Sequence, residues 1–364
     1  MITYLDYNAS APLLKEVKNY IISIIDVHGN PSSIHNSGRK AKLIIELARE
    51  EVANLINVNK NDVIFTSGAT EANNLALNSF DLIVSSNIEH ESILTKENIL
   101  FIKVDKNGYL DLADLEDKLN KINSSKNVLV STMLANNETG IIQPIKEIAA
   151  ITKKFNFCLH TDAVQALGRI KVDMKDLCCD LMTISSHKIG GPKGAGALVI
   201  NSEKKINSLI KGGSQEKNLR AGTEPLIALA GFGKAARYSN IEAMAKLQSL
   251  RDFFEERLID LNCGIFIIGK NSVRLPNTFM FSLPNIKSEN LIMALDLEGF
   301  EVSNGSACSS GKIENSKTLK AMGFKENISS SAIRISLGSY NTKLDAINFA
   351  NKVKDINFRY KSLE

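Results

Sequence analysis

The sequence contains no tryptophan, and only seven prolines and five cysteines among 364 residues. So little proline excludes collagen-like rods and polyproline linkers. The cysteines, Cys158, Cys178, Cys179, Cys263 and Cys308, are odd in number and none is spaced C-x-x-C, so neither a disulfide framework nor a zinc site is indicated. No metal is expected, and a reduced, cytoplasmic setting fits. Neither sign of charge dominates: 44 basic residues are mixed with 40 acidic ones for a net +4. A field that weak and dispersed argues against direct nucleic-acid binding. No apolar run approaches the ~20 residues that span a bilayer, so no membrane association is expected. The first eight residues lack the basic-then-apolar pattern of a secretion signal.

What remains is an ordinary globular composition, 44% hydrophobic and 23% charged. A chain of this length buries about three quarters of its unfolded surface and needs no covalent staples. At roughly 150 residues per domain, two domains are expected, or one with an appendage. The first two thirds alternate short apolar runs with helical patterns, which predicts an α/β fold with a mainly parallel sheet flanked by helices. Apolar residues recur at helical spacing from Arg39 to Ile56.

Four expected strands close on small or polar residues: Val63–Thr66 before Ser67-Gly68-Ala69-Thr70, Val128–Leu134 before Asn136-Asn137-Glu138, Phe157–Thr161 before Asp162, and Leu181–Ile184 before Ser185-Ser186-His187-Lys188. Open α/β sheets bind ligands beyond the carboxyl ends of their strands, so these endings predict a shared crevice. One long helix is expected around Ser239 to Asn262. Beyond it, strands at Ile265–Ile268, Thr278–Ser282, around Val302 and at Ala332–Ser336 mix with helices at Ser288–Leu297, Ser316–Met322 and Leu344–Asn357. The expected division is a large domain over residues 11–244 and a smaller α+β domain made of residues 1–10 and 245–364.

Lys188 is the most informative residue. It ends a buried strand and precedes Gly190-Gly191-Pro192-Lys193-Gly194. A lysine at a crevice mouth can be desolvated until its neutral amine forms a Schiff base, although a lone lysine is more often an exposed surface residue. A Walker loop is excluded, because that lysine follows its glycines. Asp162 can hold a pyridinium nitrogen protonated, or simply cap the next helix. Gln165 would face the same side. The Gly68-Ala69-Thr70 turn opens a helix whose N–H groups suit a phosphate. Together these three features define pyridoxal phosphate.

His90 can stack on such a ring and move protons, or be structural. His28, His35 and His160 have no comparable context. Cys308, within Ser306-Ala307-Cys308-Ser309-Ser310-Gly311, has the small polar surroundings of a loop thiolate, or is a harmless loop cysteine. Arg334 is a charge inside a strand, where a substrate carboxylate or an internal acid can pair with it.

These residues carry a family pattern. The chain resembles the pyridoxal-phosphate-dependent cysteine desulfurases of the NifS/IscS type, within the class V aminotransferase family of fold type I. The match runs through Gly29-Asn30-Pro31-Ser32-Ser33-Ile34-His35, Phe65-Thr66-Ser67-Gly68-Ala69-Thr70-Glu71, Glu89-His90, Asn136-Asn137-Glu138-Thr139-Gly140 and His160-Thr161-Asp162-Ala163-Val164-Gln165. It continues through Ser186-His187-Lys188, Arg220-Ala221-Gly222-Thr223, the Cys308 loop and Arg334-Ile335-Ser336.

The resemblance implies that Lys188 holds the cofactor, that His90 stacks on it and that Asp162 and Gln165 meet its nitrogen and phenolic oxygen. Asn137 would lie beside it. Ala69, Thr70, Ser185 and His187 would seat the phosphate, joined by Thr223 from the other subunit of a homodimer. Arg334, helped by Asn30, would bind the carboxylate of L-cysteine. Cys308 would take its sulfur as a persulfide, leave L-alanine, and pass the sulfur to a protein acceptor for iron–sulfur clusters or tRNA thiolation. Few residues follow Arg359, a shorter tail than the one that docks the scaffold in housekeeping members. Ser186 and Ala221 stand where many members have Gly and Ser. Selenocysteine lyase, a class V aminotransferase and a non-catalytic sulfur-transfer partner are the competing readings.

Overall fold

The computed structural model describes residues 2–123, 125–305 and 316–362. Among the described residues twelve strands are formed: β1 (Thr3–Tyr4), β2 (Val63–Thr66), β3 (Leu82–Ser86), β4 (Ile99–Ile102), β5 (Val128–Met133), β6 (Cys158–Asp162), β7 (Leu181–Ser185), β8 (Gly196–Ile200), β9 (Phe266–Ile268), β10 (Thr278–Ser282), β11 (Phe300–Glu301) and β12 (Ala332–Ser336). Seven of them build the main sheet in the order β2-β8-β7-β6-β5-β3-β4. All its pairings are parallel except those of β8, which runs antiparallel between β2 and β7. The inner strands are buried at nearly every position because helices cover both faces.

The first long helix spans Asn36–Leu55, starting earlier than its apolar periodicity because His35 Nδ1 accepts from Gly38 N–H and caps it. Its apolar face packs with that of the helix Leu226–Arg237 in the core around Ala48, Val52 and Phe232. The helix expected from Ser239 to Asn262 is two, Ile241–Ala245 and Leu247–Ile259, which abut at Lys246. Lys246 keeps right-handed helical angles, φ −63° and ψ −22°, so the apolar face runs on with little change of direction.

The later strands make a separate antiparallel sheet, β12-β10-β9. It packs with the helices Leu247–Ile259, Ser288–Leu297 and Lys343–Lys361 around Phe254, Phe279, Phe281 and Phe349. Leu5 lies in that second core, and β1 pairs in parallel with β11. The strand expected near Val302 is thus Phe300–Glu301. Residues 8–10 continue from β1 to the carboxyl edge of the main sheet.

A buried ion pair locks a turn beneath this edge. Arg49 reaches Glu216 through both terminal nitrogens, at 2.7 and 2.6 Å, and Glu216 also accepts from Phe65 N–H at 2.7 Å. Glu216, Lys217 and Asn218 all have positive φ. That left-handed run is uncommon outside glycine, and the paired carboxylate holds it in place.

Candidate active site

The carboxyl ends of β2, β3, β5, β6 and β7 converge on one cavity of about 950 Å³. It is lined by Ala69, Thr70, His90, Asn137, Asp162, Gln165, Ser185, His187, Lys188 and Arg334, all expected from the sequence. Asn30 and Thr223 are exposed and do not line the cavity of this single chain. Cys308 lies outside the described residues, but Gly305, three positions before it, is part of the wall.

Lys188 ends a short 3₁₀ turn, Ser186–Lys188, directly after β7. Its Nζ donates to the carbonyls of Asn8 at 2.5 Å and Ala9 at 2.9 Å. The N-terminal segment therefore supplies acceptors that aim the amine across the strand ends.

Asp162, the last residue of β6, accepts from Asn73 Nδ2 at 2.8 Å and from Val164 N–H at 3.0 Å. The same Asn73 Nδ2 donates to Ser92 Oγ at 2.9 Å, and Ser92 Oγ lies 2.8 Å from His90 Nδ1. Ser92 N–H also donates to His90 Nδ1, at 3.1 Å. A backbone donor on Nδ1 leaves the ring proton of a neutral imidazole on Nε2. One buried chain, Asp162–Asn73–Ser92–His90, thus fixes both a carboxylate and a histidine tautomer.

Gln165 is oriented from behind. Arg169 Nη1 donates to Gln165 Oε1 and Arg169 Nη2 to the Tyr7 carbonyl, so the Gln165 amide turns its Nε2 to the Asn8 carbonyl, at 3.1 Å. Burial, with Arg334 nearby, lowers the Arg169 guanidinium to about 9. Arg334 is 2% exposed. It donates to Asp6 Oδ1 at 2.5 Å and to the Asn137 carbonyl at 3.0 Å.

The anion-binding features lie together. Gly68 caps the helix Ala69–Leu77 without a side-chain hydrogen bond, which leaves first-turn N–H groups for a ligand. A Cβ at Gly196 would fall 2.7 Å from the Gly68 backbone, so glycine is needed where β8 approaches that turn. Ser185 Oγ is buried without a hydrogen-bond partner among the described residues, and buried hydroxyls are rarely left so. His187 is depressed to about 4 by burial and by Lys188, Lys193 and Arg169. An orphaned hydroxyl, an uncapped helix start and crowded cations fit a phosphate.

A family model described as aminotransferase class-V matches residues 3–349. The chain belongs to the class-V aminotransferase family. Family members of the cysteine desulfurase type use pyridoxal phosphate. The chain is 42% identical to a protein named cysteine desulfurase IscS from Dictyoglomus turgidum, over 94% of this chain and 91% of that one. It is 37% identical to cysteine desulfurase IscS 1 from Archaeoglobus fulgidus, over 99% and 98% of the two chains. A solved NifS-like protein from Rickettsia africae superposes with a TM-score of 0.91 at 38% identity, covering 98% of this chain and 99% of that one.

Several residues of this class-V site escaped the sequence reading. Asn73 and Arg169 act through Asp162 and Gln165. Glu89, 6% exposed, accepts from Ser86 Oγ and Met133 N–H, both at 3.1 Å. Burial, reinforced by Asp162, pushes it up to about 8, so it is mainly a neutral acid at pH 7. Asn73 carried a signal, as an amide among Ala72, Leu75 and Ala76 on a helix. Glu89 stood only as the neighbour of His90 in the family match, and Arg169 had no signal, since charges beside expected turns usually face water.

His160, whose sequence context left it structural or at the surface, is fully buried between Ser131 and Thr183. Burial holds it down at about 4, so it stays neutral. Cys158 and Cys179 are buried and their thiols are raised by burial, which makes them poor nucleophiles. No cluster of metal ligands occurs among the described residues, and no described helix is long and apolar enough to cross a membrane.

Proposed function

We propose that this chain is a pyridoxal-phosphate-dependent cysteine desulfurase that converts L-cysteine to L-alanine and carries the sulfur as a persulfide on Cys308. The observation that carries the reading is one cavity joining Lys188, Asp162, His90 and Arg334 to Gly305.

Lys188 would attach the cofactor, Asp162 hold its ring nitrogen protonated, Gln165 donate to its phenolic oxygen and His90 cover its face. Ala69, Thr70, Ser185 and His187 would bind its phosphate, and Asn137 would lie beside substrate and ring. The bound cofactor supplies an electron sink that makes the substrate C–S bond labile. Arg334 would hold the substrate carboxylate, with its Asp6 pair keeping the guanidinium in place. The Cys308 thiolate attacks the substrate sulfur; the S–S bond forms and the C–S bond breaks. The electron pair left on carbon takes up the proton of the substrate thiol, giving alanine and a persulfide with no external oxidant. His90, with its ring proton on Nε2, would donate a proton in that exchange.

Thr223 and Asn30, exposed in the single chain, suit a homodimer in which each completes the other copy's site. The two separate cores support a division into residues 11–244 and residues 1–10 with 245–364. The free cysteines suit the reducing cytoplasm. The persulfide would pass to a protein acceptor.

The test is cysteine turnover by the holoenzyme with a reducing thiol as acceptor. Alanine should form well beyond the enzyme concentration. Cys308→Ala should keep the yellow colour but form no persulfide, and Lys188→Ala should lose the borohydride-fixable chromophore. Desulfuration by Cys308→Ala at the parent rate removes the nucleophile from this account, and absence of alanine removes the activity.

A further inference from the structure

Glu138 follows Asn137 in the turn after β5, far in sequence from residues 303–305 and 316–318, yet its side chain touches both. Its Oε2 accepts from Ser316 Oγ at 2.5 Å and its Oε1 from Thr318 Oγ1 at 2.9 Å. Ser316 Oγ in turn accepts from Leu319 N–H at 3.0 Å, capping the helix Lys317–Ala321. The aliphatic stem of Glu138 meets the other flank: a Cβ added at Gly305 would fall 2.9 Å from Glu138 Cγ.

Gly305 sits at φ +89°, and its N–H donates to Ser303 Oγ at 3.1 Å. Ser303 pairs with Arg334 across an antiparallel bridge. All three oxygen-bearing partners of this knot are shut from water, with Glu138 7%, Ser316 3% and Thr318 3% exposed. The carboxylate is fully engaged, and burial raises its proton affinity. Surface ion pairing does not explain a glutamate placed so.

We propose that Glu138 is a positioning residue for sulfur transfer, fixing both chain ends that bound residues 306–315 beside Asn137 and Arg334. The proposal rests on the desulfurase reading for its consequence, but not for the anchoring itself. The described residues on either side of the Cys308-bearing segment are held by a group that follows a strand of the main sheet. Misplacing a reacting group by about 1 Å costs on the order of 100-fold in rate. Losing the anchor should therefore slow the thiol step and spare the binding of cofactor and cysteine.

The experiment compares Glu138→Ala, Glu138→Gln and the Ser316→Ala/Thr318→Val double variant as holoenzymes. Gln keeps an acceptor for one hydroxyl and a donor for the other, so it should stay within about threefold of the parent. Glu138→Ala should form the persulfide on Cys308 ~10–100-fold more slowly in a single turnover, with the cofactor absorbance and the cysteine-induced spectral change retained. The double variant should fall between them. Combined with Glu138→Ala it should add nothing, since both remove one interaction.

Trypsin cleavage after Lys317 and Lys320 gives a readout independent of activity and should accelerate in Glu138→Ala and in the double variant. Unchanged cleavage, a parental persulfide rate in either, or a Gln variant as slow as Ala overturns the proposal. If Glu138→Ala does not fold, the double variant decides on the same criteria. Accelerated cleavage in a protein whose parent makes no alanine keeps the anchor and refutes the desulfurase reading instead.

Discussion

Glu89 offers a quantitative check on the electrostatics of the site. Its carboxyl is buried and raised from 4.5 to about 8. Between those values the unfolded chain has released this proton while the folded chain still holds it. The unfolded state then binds fewer protons, so stability must fall as pH rises. The contribution is fully present below pH 4.5 and is lost as pH climbs through about 8. Each pH unit in that window costs about 1.4 kcal/mol.

Glu89→Gln removes the titration while keeping an acceptor for Met133 N–H and Ser86 Oγ. Its amide nitrogen occupies the place of Oε2, which has no partner among the described residues. The desolvation offset is therefore similar to that of the protonated acid and independent of pH. From pH 5 to pH 8 the parent should lose about 3.5 kcal/mol relative to Glu89→Gln. Urea denaturation of both holoenzymes at unit pH steps, at one protein concentration, measures the difference and cancels the other titrations. Asp162→Asn should flatten the slope, because the Asp162 charge helps to raise Glu89. A parent-minus-variant difference that stays constant across that range would show that Glu89 is ionised in the fold, and would refute the reasoning.

Two further outcomes follow from buried guanidinium groups. Arg49→Met leaves Glu216 charged and uncompensated, so unfolding in urea should show a loss of about 3–5 kcal/mol; a loss like that of a surface substitution would mean that the pair does not hold the left-handed turn. Arg334→Lys keeps the charge but loses the planar fork, so the KM for L-cysteine should rise ~10–100-fold while the chromophore is unchanged. A rise below threefold in alanine-forming assays would take the substrate carboxylate away from this arginine.

The strand ends were legible because each pairs an apolar run with the polar residues where that run stops. Lys188, Asp162 and Thr70 could be placed in one crevice from that pattern alone. β8 was not legible. A strand buried on both faces reads as an apolar run whatever its direction, and Gly196-Ala197-Leu198-Val199-Ile200 followed a glycine-rich stretch that looked like loop. β4, a four-residue edge strand with only one buried position, gave too short a run to stand out. The break at Lys246 left no trace either, because helical angles persist through it. Asn73 and Glu138 were missed for another reason: each acts through a partner far along the chain, and spacing within a segment carries no information about such pairs; Arg169 holds Gln165 only four residues away, but a lone arginine beside an expected turn usually faces water.

The polar residues that were missed explain why those that were read can work. His187, Lys188, Lys193 and Arg334 line one cavity with Arg169 behind Gln165, and burial together with neighbouring cations lowers His187 and Arg169. Such a cluster is costly without anions. Asp6 answers Arg334, and Asp162 with the neutral Glu89 leaves a single deep carboxylate charge rather than two. Ser185 Oγ, without a hydrogen-bond partner among the described residues, and the open helix start face the same space. A ligand bearing a phosphate, with a second bearing a carboxylate, removes that imbalance. The stability lost in keeping these cations together is therefore returned as binding, which is the usual relation between a strained polar site and its substrate.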